Sequence, residues 1–248
     1  VSVSGESTPD SGWTVLEADT HMSVGSLCAA RRAAGENVKA VDMVLSGDVQ
    51  NALAAVRPPG HHAERETPMG FCLFGSVAIA AKHALDHHGL SRVAIVDFDV
   101  HHGNGTQDLV ESDPRILFCS THQMPLYPGT GHAHETGAYN NVLNVPFPGG
   151  AGSAIFKQAI REQVLPMLKG FKPELLLISA GFDAHSADPL AGMDLSEDDF
   201  AWVTHQLCDI ADEYCGGRVV STLEGGYDLD ALATSAKAHV EVLMERGQ

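Results

Sequence analysis

Short apolar runs alternate with helix-like stretches along this chain. Three runs, Arg92 to Val96, Glu174 to Ile178 and Arg218 to Leu223, are rich in Val, Ile and Leu and are typical of strands buried on both faces. The clearest predicted helices cover Gly75 to His87, Ser153 to Leu168 and Ser196 to Glu213. This alternation predicts one α/β domain, in which helices cover both faces of a central parallel sheet.

Polar residues that could do chemistry follow the three predicted strands. Asp97, Asp99 and His101 come after the first strand, Asp183 after the second and Tyr227 after the third. The carboxyl ends of parallel strands form the binding crevice of an open sheet, so these side chains are expected to share one site.

The spacing of Asp97, Asp99 and His101 favours a metal. Residues two apart in an extended segment project to the same side, and carboxylates buried together need a cation to neutralise them. Asp99 and His101, with Asp183 from the second strand, could therefore hold a zinc ion and leave a fourth position for water. The alternative is that these groups only cap strand ends and pair with each other or with Arg.

Adjacent histidines, His61 and His62, follow a rigid Pro-Pro-Gly loop. Imidazoles beside a metal could deprotonate water and later protonate a leaving amine. Tyr227 follows two glycines that allow a sharp turn, and its phenol could donate to a developing oxyanion, although a buried structural role is the alternative. A second pair, His87 and His88, follows a predicted helix and is expected to face solvent.

Aromatic residues in two Gly-rich and Pro-rich loops could form the wall of a substrate tunnel. Phe71 and Tyr127 are the candidates, because flat apolar faces exclude water along an aliphatic chain. Ordinary core packing explains these residues equally well.

Composition limits the classes of partner. The chain has 248 residues, a formal net charge of −17 and a pI near 5.1, which argues against nucleic acid as a ligand. Five cysteines without CxxC spacing favour a reducing compartment. No apolar run approaches the length of a membrane span, and the N-terminus lacks the pattern of a signal peptide, so a cytoplasmic protein is expected. The sequence leaves a homo-oligomer open.

Six motifs resemble those of the zinc-dependent histone deacetylases, within them the class II type and its bacterial amidohydrolase relatives. In order along the chain they are RPPGHHA, GFCLFGSVAIAA, VDFDVHHGNGTQD, PLYPGTG, SAGFDAHSADPLAG and LEGGYD, from Arg57 to Asp228. The resemblance implies an arginase-like, three-layer α/β fold with a central, mainly parallel sheet. It also implies zinc-dependent hydrolysis of the amide in N-acetyl-lysine of a peptide, or in a small acylated amine.

The resemblance assigns catalytic roles to residues of this chain. Asp99, His101 and Asp183 match the zinc ligands. His62 matches the general base and acid, His61 an electrostatic partner, and Tyr227 the donor to the oxyanion. Asp97 and Asn104 match the groups that orient His61 and His62, respectively.

The resemblance also implies substrate and potassium contacts. Phe71 and Tyr127 match the aromatic pair that flanks the acyl-lysine tunnel, Gly70 a carbonyl that accepts from the substrate amide, and Leu190 a residue at the tunnel rim. The potassium ligands of the family correspond in this chain to Asp97, the Ser120 hydroxyl, and the backbone oxygens of Asp99, His101 and Thr121. A second potassium site would use the backbone oxygens of Val110, Asp113, Ile116 and Asn141.

Family members carry a further N-terminal segment, which includes a loop with an aspartate at the tunnel rim, whereas this chain begins inside that pattern. The expectation is a single deacetylase-type domain over residues 1–248 that lacks part of this segment.

Three other functions remain open. An acetylpolyamine amidohydrolase shares the site, but Leu190 supplies no carboxylate for a second amine. A ureohydrolase with two manganese ions needs extra carboxylates, and Gly103 and His185 stand at those positions. A catalytically inert acetyl-lysine binding protein would suit a chain without Tyr227.

Overall fold

The computed structural model describes residues 12–247 and is built around a six-stranded sheet in which every strand pair is parallel. The strand order is β3-β8-β7-β4-β5-β6. The strands are β3 (Asn51–Ala54), β4 (Val93–Asp97), β5 (Ile116–Gln123), β6 (Val142–Phe147), β7 (Leu175–Ala180) and β8 (Val219–Leu223). A separate antiparallel hairpin, β1 (Thr14–Glu17) with β2 (Thr20–Met22), precedes them.

Helices cover both faces of the sheet. They are α1 (Ser26–Ser46), α2 (Ser76–Asp86), α3 (Asn104–Val110), α4 (Ser153–Ala159), α5 (Leu165–Phe171), α6 (Glu197–Ile210) and α7 (Leu229–Arg246). Two π-helical segments, Ile160–Val164 and Ala211–Cys215, continue α4 into α5 and extend α6. The predicted helices and the predicted α/β fold with a parallel central sheet are therefore confirmed.

Alternate residues of each central strand pack into different cores. In β4, Val93 and Ile95 join the cluster that includes residues of α1, α2 and α3, whereas Ala94 and Val96 join the cluster of α4 to α7. A strand with an apolar layer on each side has no polar face, which explains its continuous apolar sequence. The result is three layers with a core on each side of the sheet.

The predicted start of α6 is also confirmed. Ser196 and Asp199 form a capping box, in which the Asp199 carboxylate accepts from the Ser196 backbone N–H at 3.0 Å. Among residues 12–247, no helix is both long and apolar enough to cross a membrane.

Candidate active site

The strand order brings three polar strand ends to one edge of the sheet. β4 lies between β7 and β5, and β8 lies next to β7, so the segments that follow β4, β7 and β8 are neighbours. Asp99 and His101 come from the first segment, Asp183 from the second and Tyr227 from the third. The site predicted from the sequence is therefore assembled by adjacent parallel strands.

Asp99, His101 and Asp183 converge on one point and are all buried. His101 Nδ1 lies 3.0 Å from Asp99 Oδ1 and 3.1 Å from Asp183 Oδ2. Two carboxylates and one imidazole are ligands that zinc accepts, and donors bound to zinc at about 2.0–2.1 Å in a tetrahedral site lie roughly 3.3 Å from each other. The spacing of these three donors therefore fits a zinc ion.

Two glycines make room around these carboxylates. A Cβ atom on Gly181 would collide with the Asp99 carboxylate, and one on Gly225 would collide with Asp183 and lie 2.6 Å from Asp99 Oδ2. The Gly225 N–H donates to Asp99 Oδ2 at 2.9 Å, and the Val100 N–H donates to Asp183 Oδ1 at 2.9 Å. The backbone thus holds both carboxylates in place and leaves the opposite side to a ligand.

The charges of this cluster are strongly perturbed by burial. Burial and the neighbouring Asp99 raise the pKa of Asp183 to about 7. Burial alone would raise the pKa of Asp99, but His61 and His101 outweigh it and hold the pKa of Asp99 below its usual value. Burial disfavours charged His101, yet hydrogen bonds to Asp183 and Asp99 raise its pKa to about 10. Such a site attracts positive charge.

His62 has the geometry of a proton acceptor. Asn104 Oδ1 lies 2.8 Å from His62 Nδ1, and Asn104 Nδ2 donates to Glu64 Oε1 at 2.7 Å. Because Glu64 accepts from the amide nitrogen, the Asn104 oxygen faces His62, so His62 carries its proton on Nδ1 and leaves Nε2 to accept. Burial and the positive charge of His61 hold the pKa of His62 well below its usual value.

His61 lies deeper and next to two acids. Its Nδ1 is 3.0 Å from Asp97 Oδ2, and its Nε2 is 3.8 Å from Asp99 Oδ2. Burial alone would lower the pKa of His61, but Asp99 and Asp97 outweigh it and raise this pKa well above its usual value. The predicted pairs of His61 with Asp97 and of His62 with Asn104 are thus present in the structure.

A buried glutamate that the sequence reasoning misses lies beneath this pair. Glu224 Oε2 accepts from the backbone N–H of Gly60 at 2.7 Å and from that of His61 at 3.2 Å. Burial raises the pKa of Glu224 to about 7, although the charge of His61 opposes this shift. Its position at the end of β8 is the signal that could have identified it.

A cavity of about 230 Å³ opens beside the cluster of Asp99, His101 and Asp183, and His101 lines it. Its wall consists of Asp19, His62, Gly70, Phe71, His101, Leu126, Tyr127, Leu190 and Tyr227. Phe71, Tyr127 and Leu190 are 44%, 38% and 46% exposed, as expected for residues around an opening. Every residue predicted to contact substrate lines this cavity, whereas His61 does not.

The backbone at Gly70 lies against the His62 ring and leaves no room for a side chain. Gly70 has a φ of 55°, and a Cβ atom there would collide with the His62 ring. The rings of Phe71 and Tyr227 have centroids 6.1 Å apart, and those of His62 and Tyr127 have centroids 5.1 Å apart with their planes nearly perpendicular. The aromatic side chains therefore lie next to the histidine and the tyrosine that could react.

Two further aspartates hold the cavity wall, and the sequence reasoning misses both. Asp19, between β1 and β2, accepts from the Gly70 N–H at 3.1 Å. Asp188 Oδ2 accepts from the Tyr227 N–H at 2.7 Å, and its Oδ1 accepts from the Leu190 N–H at 3.0 Å. The contacts of Asp19 with Gly70 and of Asp188 with Tyr227 join segments far apart in sequence, which no local pattern indicates.

The residues proposed to bind potassium lie at the carboxyl ends of β4 and β5. The Asp97 carboxylate accepts from the Asp99 N–H at 3.1 Å, the Thr121 hydroxyl donates to the Asp97 carbonyl at 3.4 Å, and the Ser120 hydroxyl lies 3.0 Å from His122 Nδ1. All three side chains are buried.

At the second predicted potassium site, the side chain of Asn141 contacts backbone oxygens that were expected to bind the ion. Asn141 Nδ2 donates to the backbone oxygens of Val110, Asp113 and Ile116 at 3.2, 3.2 and 2.9 Å. Three of the four oxygens predicted to bind a cation therefore accept from an amide nitrogen.

The site combines an Asp-His-Asp cluster that could hold a metal ion with a histidine pair, at the carboxyl edge of a helix-covered parallel sheet. The family model "Histone deacetylase domain" matches residues 2–243. This chain belongs to the histone deacetylase family.

Relatives support this assignment over most of the chain. "Histone deacetylase 10, chloroplastic" of Oryza sativa subsp. japonica is 48% identical and covers 82% of this chain and 47% of its own length. "Histone deacetylase-like amidohydrolase" of Pseudomonas aeruginosa is 41% identical and covers 88% of this chain and 58% of its own length. The crystal structure of the HDA15 HD domain matches with a TM-score of 0.90 and 40% identity, over 94% of this chain and 66% of that one. The chain thus spans about half to two thirds of these proteins.

Proposed function

We propose that this chain is a zinc-dependent amidohydrolase that hydrolyses the amide of N-acetyl-lysine, or of a similar acylated amine, to acetate and free amine. The observation that most supports this function is the convergence of Asp99, His101 and Asp183 beside a cavity lined by His62 and Tyr227. A zinc ion held by these three residues would supply Lewis-acid chemistry, by polarising the amide carbonyl and making water more acidic.

The residues of the chain would then move the protons. His62 Nε2 would take a proton from the attacking water and return it to the leaving amine nitrogen, while charged His61 would favour the negative charge that develops. Burial and the charges of Asp99 and Asp183 raise the pKa of Tyr227, so its hydroxyl keeps the proton that it would donate to the carbonyl oxygen.

The cavity wall suits an extended aliphatic chain. Phe71 and Tyr127 would contact the methylene groups of the acylated lysine and exclude water from them. Leu190 would cover the rim, and the Gly70 carbonyl would accept a hydrogen bond from the substrate amide. The position of these residues around one opening supports a tunnel that a side chain can enter and a bulky backbone cannot.

The direct test measures metal content and hydrolysis of an acetyl-lysine peptide on the same sample. We expect turnover with zinc present, loss of turnover after treatment with a chelator, and recovery when zinc returns. Equal turnover without any transition metal would contradict a metal-dependent mechanism. Binding of the peptide without turnover, with zinc present, would favour the inert acetyl-lysine binding protein instead.

A polyamine substrate is the second candidate, because Asp19 places a carboxylate on the cavity wall. A carboxylate at this position could attract the second ammonium group of an acetylated polyamine, which Leu190 cannot do. Comparing kcat/KM for an acetyl-lysine peptide and for acetylspermidine separates the two. We expect the peptide to be preferred.

We also propose that potassium binds near Asp97, with the Ser120 hydroxyl and the backbone oxygens of Asp99, His101 and Thr121. The buried carboxylate at the end of β4 supports a cation there. Turnover in potassium chloride should exceed turnover in choline chloride at equal ionic strength, and equal rates would argue against the site.

A further inference from the structure

A second group of metal-ligating side chains lies outside the cavity, at the C-terminal end of α2. His83, His87 and His88 each offer a ligand atom, and these atoms all lie within 4.8 Å of one another. Among residues 12–247, this is the one group besides Asp99, His101 and Asp183 that has such spacing. None of its members lines the cavity.

The local backbone brings the three rings together. His83 and His87 are one helical turn apart, and their rings stack with centroids 4.8 Å apart and an angle of 14° between planes. Gly89, with a φ of 72°, ends this helix, and Leu90 N–H donates back to the Ala84 carbonyl at 3.2 Å. This turn carries His88 back over the helix end, so that its ring centroid lies 5.0 Å from that of His87.

Asp42 of α1 places a carboxylate beside two of the three imidazoles, those of His83 and His88. Its Oδ1 lies 2.6 Å from His83 Nε2 and 2.7 Å from His88 Nε2, so two imidazole nitrogens converge on one oxygen atom. These two hydrogen bonds lower the pKa of Asp42, which keeps the carboxylate charged. His83 lies in the last turn of α2 and Asp42 near the end of α1, where the helix dipoles favour a cation.

We propose that His83, His87 and His88, with the Asp42 carboxylate beside two of them, form a second metal site, which binds a divalent transition metal of the zinc type. Imidazole-rich donor sets suit zinc, nickel and copper, whereas magnesium and calcium require mostly oxygen ligands. The side chains of His83 and His88 are 22% and 24% exposed and that of Asp42 is 47% exposed, so an ion could enter from solvent.

The ion would bridge two helices on one face of the sheet. α1 follows the β1–β2 hairpin that carries Asp19, and α2 follows the loop that carries Gly70 and Phe71. A metal bound to the folded protein and not to the unfolded chain stabilises the fold in proportion to its occupancy. The second site is therefore expected to act as a structural link between α1 and α2, independently of the proposed hydrolysis.

The test counts zinc ions on the full chain. Wild type and the double variant His87→Asn/His88→Asn are equilibrated with zinc, freed of loosely bound metal and analysed by elemental analysis and calorimetric titration. We expect two ions per wild-type chain and one per variant chain. In the variant, the affinity for the second ion should be at least 100-fold weaker than in wild type. Zinc should also raise the Tm of wild type by several degrees more than that of the variant.

A matched control removes two other exposed histidines that stack on each other, with ring centroids 5.3 Å apart, in His132→Asn/His134→Asn. This control should still bind two ions. One zinc ion per wild-type chain that the His87/His88 variant retains, or two ions on that variant, would overturn the proposed site. The second site can be tested separately from the proposed catalytic zinc site. Asp183→Asn should lose the catalytic ion and keep the ion whose affinity depends on His87 and His88.

Discussion

Adjacent histidines occur in two very different regions of this protein, at the carboxyl edge of the sheet and at the end of α2. His61 and His62 are 2% and 4% exposed, and the Nδ1 atom of each lies within hydrogen-bond distance of one side chain, Asp97 or Asn104. His87 and His88 lie near the surface, and His88 shares its acid partner, Asp42, with His83. The same dipeptide is therefore a candidate for proton transfer in one region and for metal binding in the other, because its burial and its partners differ between the two.

The strongest way to test the buried region is to remove a metal ligand. Asp183→Asn takes away one of the two carboxylates proposed to bind the catalytic zinc, so that ion should be lost and kcat/KM should fall well beyond the roughly 10–100-fold that outer residues cause. Elemental analysis and peptide hydrolysis measure both effects. Asp198→Asn, on the exposed start of α6, is the control and should change neither.

Tyr227→Phe tests the oxyanion donor without disturbing the ligands. The variant keeps the ring but removes the hydroxyl, so kcat should fall about 10²–10³-fold while zinc content stays unchanged. Tyr139→Phe, at a tyrosine that is 57% exposed, should retain full activity. Undiminished turnover in Tyr227→Phe would remove this residue from the mechanism.

Asn104→Ala tests how His62 is oriented. Without the amide oxygen, neither the tautomer nor the ring angle of His62 is fixed, and kcat should fall about 10–100-fold with little change in KM. Asn37→Ala is the matched control, because Asn37 is also buried but donates to Ala33 and Thr222, and it should leave kcat unchanged. A large effect on KM alone would instead indicate a role in binding.

A third environment, a buried histidine without an acid, predicts a pH effect on stability. His239 contacts the hydroxyls of Thr204 and Ser221, and burial lowers its pKa to about 4. In the unfolded chain, the His239 imidazole binds a proton near pH 6.5. The contribution of His239 to the free energy of unfolding is therefore complete above that pH. It should fall by roughly 3 kcal/mol as the pH drops to about 4.

Unfolding by urea at several pH values measures this contribution. The difference in the free energy of unfolding between wild type and His239→Gln should shrink as the pH falls from 6.5 to 4. A difference that stays constant over this range would show that His239 is not responsible.

The smallest effect on activity is expected at the surface histidines. His87→Asn/His88→Asn should leave kcat/KM for an acetyl-lysine peptide within about twofold of wild type, since surface substitutions rarely disturb the fold. A loss of turnover with catalytic zinc retained would mean that the two histidine regions are coupled.

The amino-acid sequence by itself indicated three strands of the sheet, β4, β7 and β8, three of the helical stretches, and the polar residues that follow those strands. Periodicity indicates which segments are buried, and chain order then places Asp99, His101 and Asp183 at the carboxyl edge of a parallel sheet. That rule predicts a shared edge, whereas the direct approach of these three donors also depends on β4 and β7 being neighbours in the sheet.

Only the tertiary structure decided which partners these residues have. Glu224 lies beneath His61, Asp19 holds Gly70, and Asp42 meets His88, and each contact joins segments far apart in the chain. The tertiary structure also decided that His62 lines the cavity whereas His61 does not. Local patterns depend on the period of a helix or strand, whereas these contacts depend on how helices and loops pack against the finished sheet, which no single segment specifies.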